Sequence, residues 1–180
     1  AGSAEAAGDA ARRLCGTVAV KALGLAHKSE AGAVALGLAT PEAARQAAAS
    51  MPGPRFLVEE MVPEGVAELL LGVTRDPAHG FLLTLAAGGV LTELLADSAS
   101  LLLPASEAEL AAALDGLRAA PLLSGYRGRP AACRRAVLDA AMALQRFVEA
   151  EAHRLEEVEI NPLICTPDRA VAADALIRFG

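Results

Sequence analysis

Oxygen-bearing side chains alternate along a stretch near the C-terminus of this 180-residue sequence. Glu157, Glu159 and Asn161 occupy every second position, with Val158 and Ile160 between them. Because successive side chains of an extended strand point to opposite faces, this spacing predicts a strand with oxygen atoms on one face and apolar groups on the other. Such a face is either a solvated acidic surface or a place that holds a hard cation such as Mg²⁺, which prefers oxygen ligands.

A tight turn is predicted at residues 166–169, with Pro167 and Asp168 at its two central positions. The residue numbers of cross-strand partners then add up to 335, so Asn161 faces Asp174. Directly opposed residues have Cβ atoms about 5 Å apart. The Asn161 amide and the Asp174 carboxylate are therefore candidate metal ligands, and Glu159 on the same face is a third.

Lysine is rare in this sequence, which has 16 basic residues of which only Lys21 and Lys28 are lysines. A compact ammonium on a flexible stem suits contact with a phosphate oxygen, although chance clustering also explains the pair. Lys21 lies in a predicted apolar strand at 17–23, and Lys28 lies in a loop bounded by glycines at 24–32. The same loop carries His27, which can gain and lose a proton near neutral pH, so the loop is either reactive or a solvated turn.

Two adjacent glycines, Gly88 and Gly89, form a further candidate site. Glycine lets backbone N–H groups approach an anion closely, so the pair could cradle a phosphate. His79 lies in a predicted hairpin turn at 76–80 and is interpreted as a solvated turn residue rather than a ligand.

The composition limits the class of protein. Apolar residues make up 54% of the chain, which favours a well-packed globule over disorder. A net charge of -6 argues against a nucleic-acid partner, and no apolar run approaches the roughly 20 residues of a membrane helix. Three widely spaced cysteines, Cys15, Cys133 and Cys165, indicate buried thiols in a reducing cytoplasm, without excluding a catalytic thiol.

Hydrophobic periodicity and capping signals predict a mixture of helices and strands. Helices are expected at 4–14, 40–50, 106–117 and 131–152, and strands at 17–23, 33–38, 56–61, 66–74, 80–85, 97–103 and 155–164. The break at residues 51–54 contains two prolines and a glycine and marks the expected boundary between two parts, 1–53 and 54–180. The expected fold class is α+β.

The order of these motifs resembles the ATP-grasp domain of ADP-forming acyl-CoA synthetases of the acetate–CoA ligase type, which are related to the β subunit of succinyl-CoA synthetase. The matching stretches run through nearly the whole chain: 18–21, 27–32, 58–61, Glu68 with Gly72 and 76–77, 88–90 with Glu93, and 159–162 with Asp174. The resemblance implies an ATP-grasp fold in which two α+β subdomains grip a nucleotide between them. The family's opening helix and first strand have no counterpart here, so the N-terminal subdomain is expected to be truncated.

The resemblance also implies a chemistry, in which acyl-CoA, phosphate and ADP are converted reversibly to acid, CoA and ATP through a phosphohistidine. His27 matches the residue that relays the phosphoryl group, and Asn161 and Asp174 match the Mg²⁺ ligands. The implied contacts with ATP or ADP are made by Lys21, Lys28, Glu59, Glu60, Glu68, Gly88 and Gly89, with Glu59 and Glu60 near adenine and ribose. The CoA-binding and CoA-ligase domains would lie on the same or a partner chain, so this chain alone is not expected to turn over acyl-CoA.

A regulatory ATP-grasp-like module, as in fusions with a protein acetyltransferase domain, is the alternative function. Ala33 and Ala86 stand where the family commonly has glycine, and a Cβ there would hinder a positive φ or a close approach to phosphate. These two alanines favour the regulatory alternative, while His27, Lys21 and the metal-ligand pair favour the enzyme. A scaffold surface for assembly is a third possibility, indicated only by the apolar composition.

Overall fold

The computed structural model describes residues 1–24, 32–88 and 96–180. These residues form two compact units, Ala1–Val62 (unit 1) and Pro63–Gly180 (unit 2). The division therefore falls after Val62 and not at the proline-rich break around residue 53. The reason is that strand β3 (Phe56–Glu60), which follows the break, pairs with strand β1 (Val18–Ala22), which precedes it.

Unit 1 is a three-stranded antiparallel sheet with the order β2-β1-β3, in which β2 spans Val34–Leu38. Helices α1 (Ala4–Leu14) and α2 (Pro41–Ser50) accompany it. Both helices begin at a side-chain cap, as Ser3 Oγ accepts from the Ala6 N–H and Thr40 Oγ1 accepts from the Ala43 N–H. The start of α2 at a threonine cap followed by proline confirms the sequence prediction.

The core of unit 1 consists mainly of small side chains. Its buried members are Ala7, Ala11, Val18, Val20, Ala22, Ala33, Ala44, Ala48, Met51 and Phe56. The two helices approach each other so closely that a Cβ added to Gly8 would lie 3.0 Å from the carbonyl oxygen of Pro41. Because β1 contributes Val18, Val20 and Ala22 to this core, the alternate residue Lys21 faces away from it.

Unit 2 is a six-stranded antiparallel sheet that carries helices. Its strands are β4 (Ala67–Asp76), β5 (Gly80–Ala87), β6 (Ser98–Leu102), β7 (Leu155–Cys165), β8 (Ala170–Ala172) and β9 (Ala175–Phe179). The order is β6-β5-β4-β7-β8, and β9 also pairs with β7. Its helices are α3 (Glu107–Gly116), α4 (Ala120–Leu123) and α5 (Arg134–Glu151).

The core of unit 2 lies between this sheet and α3 and α5. The apolar stripe predicted for the longest helix is buried, and it comprises Val137, Ala141, Leu144 and Val148. The predicted capping box at the start of α3 is also present, with Ser106 and Glu109 exchanging their hydrogen bonds. Gln145 of α5 is buried and accepts a 2.8 Å hydrogen bond from the Ala105 N–H, which ties α5 to the segment before α3.

The hairpin of β7 and β8 has the predicted register. Leu163 pairs with Ala172, Ile164 with Val171 and Cys165 with Ala170, so the partner numbers add up to 335 as expected. The turn is closed by Thr166, which is buried and whose N–H donates to the Arg169 carbonyl oxygen over 2.9 Å. This register also places Asn161 of β7 opposite Asp174, which follows β8.

Among the helices within the described ranges, none combines the length and the apolar character that crossing a membrane requires.

Candidate functional site

Asn161 and Asp174 lie opposite each other in unit 2, as the register predicts. The Asn161 N–H donates a 3.1 Å hydrogen bond to the Asp174 carbonyl oxygen, and the Ala173 N–H donates a 3.0 Å bond to the carbonyl oxygen of Pro162. The pairing of Ile160 with Ala175 and of Leu163 with Ala172 flanks them on either side. Asp174 therefore stands at the short interruption between β8 and β9, across from Asn161.

The side chains around this interruption are half-buried and rich in oxygen. The Asn161 amide donates from Nδ2 to Glu159 Oε1 over 3.3 Å. Asp174 Oδ1 accepts a 3.0 Å hydrogen bond from the Ala175 N–H. Glu159, Asn161 and Asp174 are all of intermediate exposure, so they are open to a ligand without being fully solvated.

The donor set fits a hard cation. The atoms of two carboxylates and one amide that can bind a cation are oxygens, which is the ligand type that Mg²⁺ takes in proteins. No group of three or more His, Cys, Asp or Glu side chains that could hold a metal occurs in the described part of the chain. Water and phosphate oxygens would therefore have to complete the coordination, as is usual for Mg²⁺ held by one or two carboxylates.

Gly88, one of the two candidate phosphate-binding glycines, lies against strand β4 in unit 2. Its N–H donates a 2.8 Å hydrogen bond to the Glu68 carbonyl oxygen. A Cβ at this position would lie 2.6 Å from the Leu69 carbonyl carbon and 2.7 Å from the Leu69 oxygen. No residue with a side chain fits at position 88. The hydrogen bond from the Gly88 N–H also joins this glycine to Glu68, another predicted site residue.

Cys165 at the end of β7 is a structural thiol. It is fully buried, and burial together with the nearby Glu68 carboxylate raises the pKa of the thiol to about 12. A thiol with so high a pKa stays protonated at neutral pH and is a poor nucleophile. The structure gives no support to catalysis by this cysteine.

Lys21 is a buried charged residue in the middle of the unit 1 sheet. Its side chain is only 8% exposed, and its Nζ forms an ion pair with the Glu59 carboxylate of β3. Lys21 pairs with Leu57 and Ala19 pairs with Glu59, so Lys21 and Glu59 share one face and are diagonal neighbours. The sequence predicted both residues as nucleotide ligands but gave no sign that they touch each other.

Glu59 and Glu60 point to opposite faces of β3. Glu60 is exposed and pairs with Val18, a residue of the face that packs against the helices. A ligand bound to one face of this sheet would contact the side chain of only one of the two. The placement of Glu59 and Glu60 near adenine and ribose stays a prediction.

Three predicted site residues, His27, Lys28 and Gly89, lie outside the described residues.

His79 is described, and its place in the β4–β5 turn confirms its interpretation as a turn residue. Its ring Nδ1 is 2.9 Å from Asp76 Oδ1. Hydrogen bonds from the Ala78 N–H, the His79 ring and the His79 N–H lower the pKa of the Asp76 carboxyl.

Ala33 and Ala86 have ordinary backbone conformations. Neither is among the residues with positive φ. Ala33 is fully buried in the unit 1 core, and Ala86 is a buried residue of β5 that pairs with Leu70 and Ser98. The expected hindrance to a positive φ therefore does not arise at either position, and the expected hindrance to a close approach to phosphate stays a prediction.

One feature of unit 2 has no signal in the sequence. A cavity of about 370 Å³ is lined by Asp97, Arg118, Ala119, Pro121, Leu122 and Tyr126. The Asp97 carboxylate is buried and accepts hydrogen bonds of 2.8 and 2.9 Å from the N–H groups of Arg118 and Ala119. These contacts join residues about 20 positions apart, which a local pattern does not reveal.

The class of protein follows from comparison with known families. The family model for the ATP-grasp domain matches residues 1–179. The chain therefore belongs to the ATP-grasp family, and the resemblance drawn from its motifs is confirmed together with the α+β ATP-grasp fold.

Particular relatives are an ADP-forming acetate–CoA ligase and a feruloyl-CoA synthase. The chain is 28% identical to the β subunit of the ADP-forming acetate–CoA ligase I of Pyrococcus furiosus, over 83% of the chain and 68% of that subunit. It is 34% identical to a trans-feruloyl-CoA synthase of an unknown prokaryotic organism, over 98% of the chain but 27% of the synthase. The chain thus spans about a quarter of that synthase and about two thirds of the Pyrococcus subunit.

Solved structures with the same fold come from Candidatus Korarchaeum cryptofilum. Its dinucleotide-forming acetyl-coenzyme A synthetase 1, in complex with coenzyme A and Mg-AMPPCP, matches with a TM-score of 0.85 and 30% identity, over 98% of this chain and 82% of that chain. In that structure the phosphohistidine segment points towards the nucleotide-binding site. A complex of the same synthetase with coenzyme A, Ca-AMPCP and HgCl+ matches with a TM-score of 0.88 and 28% identity, over 100% of this chain and 83% of that chain.

Proposed function

We propose that this chain is the nucleotide-binding and phosphoryl-transfer part of an ADP-forming acyl-CoA synthetase. The reaction of the whole enzyme is the reversible conversion of acyl-CoA, phosphate and ADP to a carboxylic acid, CoA and ATP. The pairing of Asn161 with Asp174 carries the proposal, because it puts an amide and a carboxylate across from each other in a fold whose solved relative holds Mg-AMPPCP.

Asn161 and Asp174 are the proposed ligands of Mg²⁺, with Glu159 beside them. The ion, when bound, would neutralise charge on the nucleotide phosphates. The protein's own part is to present these oxygens on paired strands. The hydrogen bonds from Asn161 to Glu159 and from Ala175 to Asp174 restrict how the two side chains can turn.

Lys21 is the proposed phosphate contact of unit 1. Its ammonium is buried on the sheet face that points away from the alanine-rich core, where it is shielded from bulk water. A shielded cation attracts a phosphate more strongly than an exposed one, because screening is weaker there. Gly88 and Glu68 of unit 2 are proposed as further nucleotide contacts, although the Gly88 N–H already donates to the Glu68 carbonyl oxygen and so does not serve as the phosphate donor.

His27 is the proposed carrier of the phosphoryl group. A ring nitrogen of the neutral imidazole would attack the phosphorus of an acyl phosphate and release the carboxylate. The phosphoryl group would then pass to a terminal oxygen of ADP, which restores the free imidazole and forms ATP.

The CoA-binding and acyl-transfer parts are proposed to lie on the same or a partner chain, in a reducing cytoplasm that suits the free thiols.

A regulatory module without phosphoryl transfer is the alternative function. Neither Ala33 nor Ala86 has a positive φ, so these alanines favour the alternative only as far as their Cβ atoms hinder a close approach to phosphate. The facing of Asn161 and Asp174 favours the enzyme, which remains our proposal.

The proposal is tested on the full-length protein in two steps. Calorimetric titration with Mg-ATP and Mg-ADP measures binding, and incubation with γ-labelled ATP followed by acid and base treatment measures phosphohistidine. We expect saturable binding and an acid-labile, base-stable label that is absent from His27→Ala and present in His79→Ala, a control histidine in an exposed turn. Binding without label would support the regulatory module, and absence of binding would refute both nucleotide functions.

A further inference from the structure

The ammonium of Lys21 lies in a place that is costly for a charge. The side chain is 8% exposed, and the neighbouring residues of β1 are buried as well. Removing an ammonium from water is unfavourable unless an opposite charge compensates it. The position therefore depends on a partner that is held in place by the fold.

Glu59 provides such a partner. Its carboxylate forms an ion pair with Lys21 Nζ, and its own side chain is 30% exposed. The two residues come from adjacent antiparallel strands, and the register fixes them as diagonal neighbours on one face. The backbone pairing of β1 and β3 fixes where the Glu59 side chain starts relative to Lys21, and the ion pair restricts where its carboxylate lies.

We propose that Glu59 is a positioning residue, which holds the Lys21 ammonium in place for a nucleotide phosphate and does not itself contact adenine or ribose. This inference rests on the proposed function. An ammonium has three N–H donors, so it can keep its bond to Glu59 while a phosphate oxygen accepts from another N–H. The four-carbon stem of lysine is flexible, and a fixed carboxylate limits the entropy lost when the phosphate binds.

The chain has only two lysines, Lys21 and Lys28, so the signal of the Lys21 ammonium can be observed directly by NMR spectroscopy. Lysine labelled with ¹³C at Cε and ¹⁵N at Nζ gives two side-chain signals in the full-length protein, and Lys21→Met assigns them. In the absence of nucleotide, Glu59→Gln is expected to shift the Lys21 signal. Glu42→Gln is the control, since it removes the carboxylate of an exposed ion pair in the same unit.

Affinity for Mg-ATP gives the second readout. Glu59→Gln is expected to weaken binding about tenfold, which lies within the coupling range for residues in contact. Glu59→Asp keeps the charge and is expected to recover part of the affinity. In the Lys21→Met background Glu59→Gln is expected to have no further effect, because Glu59 acts through Lys21.

These outcomes separate the inference from the proposed function. If the wild type binds no Mg-ATP, the proposed function fails, and the nucleotide part of the inference fails with it. If the wild type binds Mg-ATP but Glu59→Gln leaves both the Lys21 signal and the affinity unchanged, only the positioning role is refuted. Equal losses from Glu59→Gln with and without Lys21 would show that Glu59 contacts the nucleotide itself, which also overturns the inference.

Discussion

Asn161 and Asp174 are joined through their backbones, since the Asn161 N–H donates a 3.1 Å hydrogen bond to the Asp174 carbonyl oxygen. The two residues are 13 positions apart in the sequence, and the hairpin turn at 166–169 brings them together. Their side chains are therefore presented by paired strands, which gives a metal site better-fixed ligands than a loop would.

Replacement of Asp174 by alanine is expected to weaken Mg-nucleotide binding at least about tenfold, since even partners of metal ligands contribute 10–100-fold. The fold should persist, because the backbone bond to Asn161 does not use the side chain. Titration of Mn²⁺ with nucleotide, followed by electron paramagnetic resonance, measures the effect. Asp139→Ala, which removes an exposed aspartate of α5, is the matched control, and equal affinities in the two variants would count against the metal assignment.

Removing the charge of Glu59 and removing the charge of Lys21 are expected to lower the free energy of unfolding by different amounts. Glu59→Gln removes the charge of the Glu59 carboxylate from beside a buried ammonium, while Lys21→Met leaves a carboxylate that is 30% exposed and can be hydrated. Glu59→Gln should therefore lower the free energy of unfolding more than Lys21→Met does. Urea unfolding of both variants measures this order, and the reverse order would show that the ammonium is not the constrained member of the pair.

Gly88→Ala is expected to destabilise the protein by about 1–3 kcal/mol, because overpacking against a fixed group forces the backbone to shift. The new Cβ would lie 2.6 to 2.9 Å from backbone atoms of Leu69. Gly116→Ala is the control, since nothing lies within 4 Å of a Cβ there. Chemical denaturation of the two variants tests the difference, and similar unfolding free energies would contradict the close approach of Gly88 to β4.

Cys165 is expected to make the stability of the protein sensitive to alkaline pH. Burial raises the pKa of its thiol from 9.0 to about 12, so the folded state binds the proton more tightly than the unfolded state does. The resulting stabilisation is complete below pH 9 and is lost as the pH rises through about 12.

Unfolding measured between pH 8 and 11 should therefore show a steeper loss of stability in the wild type than in Cys165→Ala. Thiol reagents at neutral pH provide an independent check, since Cys15 is exposed and Cys165 is buried. Cys15 should react in the folded protein, and Cys165 only after unfolding. Reaction of Cys165 in the folded state would contradict its burial.

Local signals in the sequence predicted much of the fold. The threonine cap before Pro41 and the capping box at Ser106 and Glu109 are contained within a few residues, and both are present. The register of the C-terminal hairpin was also predictable, because a turn with Pro167 at its second position fixes every partner along the strands.

Features that depend on distant strands were not predictable in the same way. The break at residues 51–54 is a strong local signal, yet β3 beyond it belongs to unit 1, because β3 pairs with a strand more than 30 positions earlier. Strand β9 was missed because all five of its residues are exposed, so it lacks the alternation of a half-buried strand. Its pairing with β7 is what makes it a strand.

In the candidate site too, features set by the local sequence were predictable and features set by the pairing of distant strands were not. The types of its residues were visible in the sequence, and the facing of Asn161 and Asp174 followed from the turn. The ion pair of Lys21 with Glu59 was not visible, since it depends on the register between β1 and β3. Likewise, the need for glycine at position 88 depends on the approach of Leu69 from another strand.

The magnesium dependence of nucleotide binding tests the central claim most directly. Calorimetric titration of the full-length wild-type protein with ATP, once with Mg²⁺ and once with a chelator, measures the affinity in the two conditions. The proposed site predicts saturation at one nucleotide per chain with Mg²⁺ and a much lower affinity without it. Equal affinity in both conditions, or no saturable binding in either, would contradict a metal-assisted nucleotide site at Asn161 and Asp174.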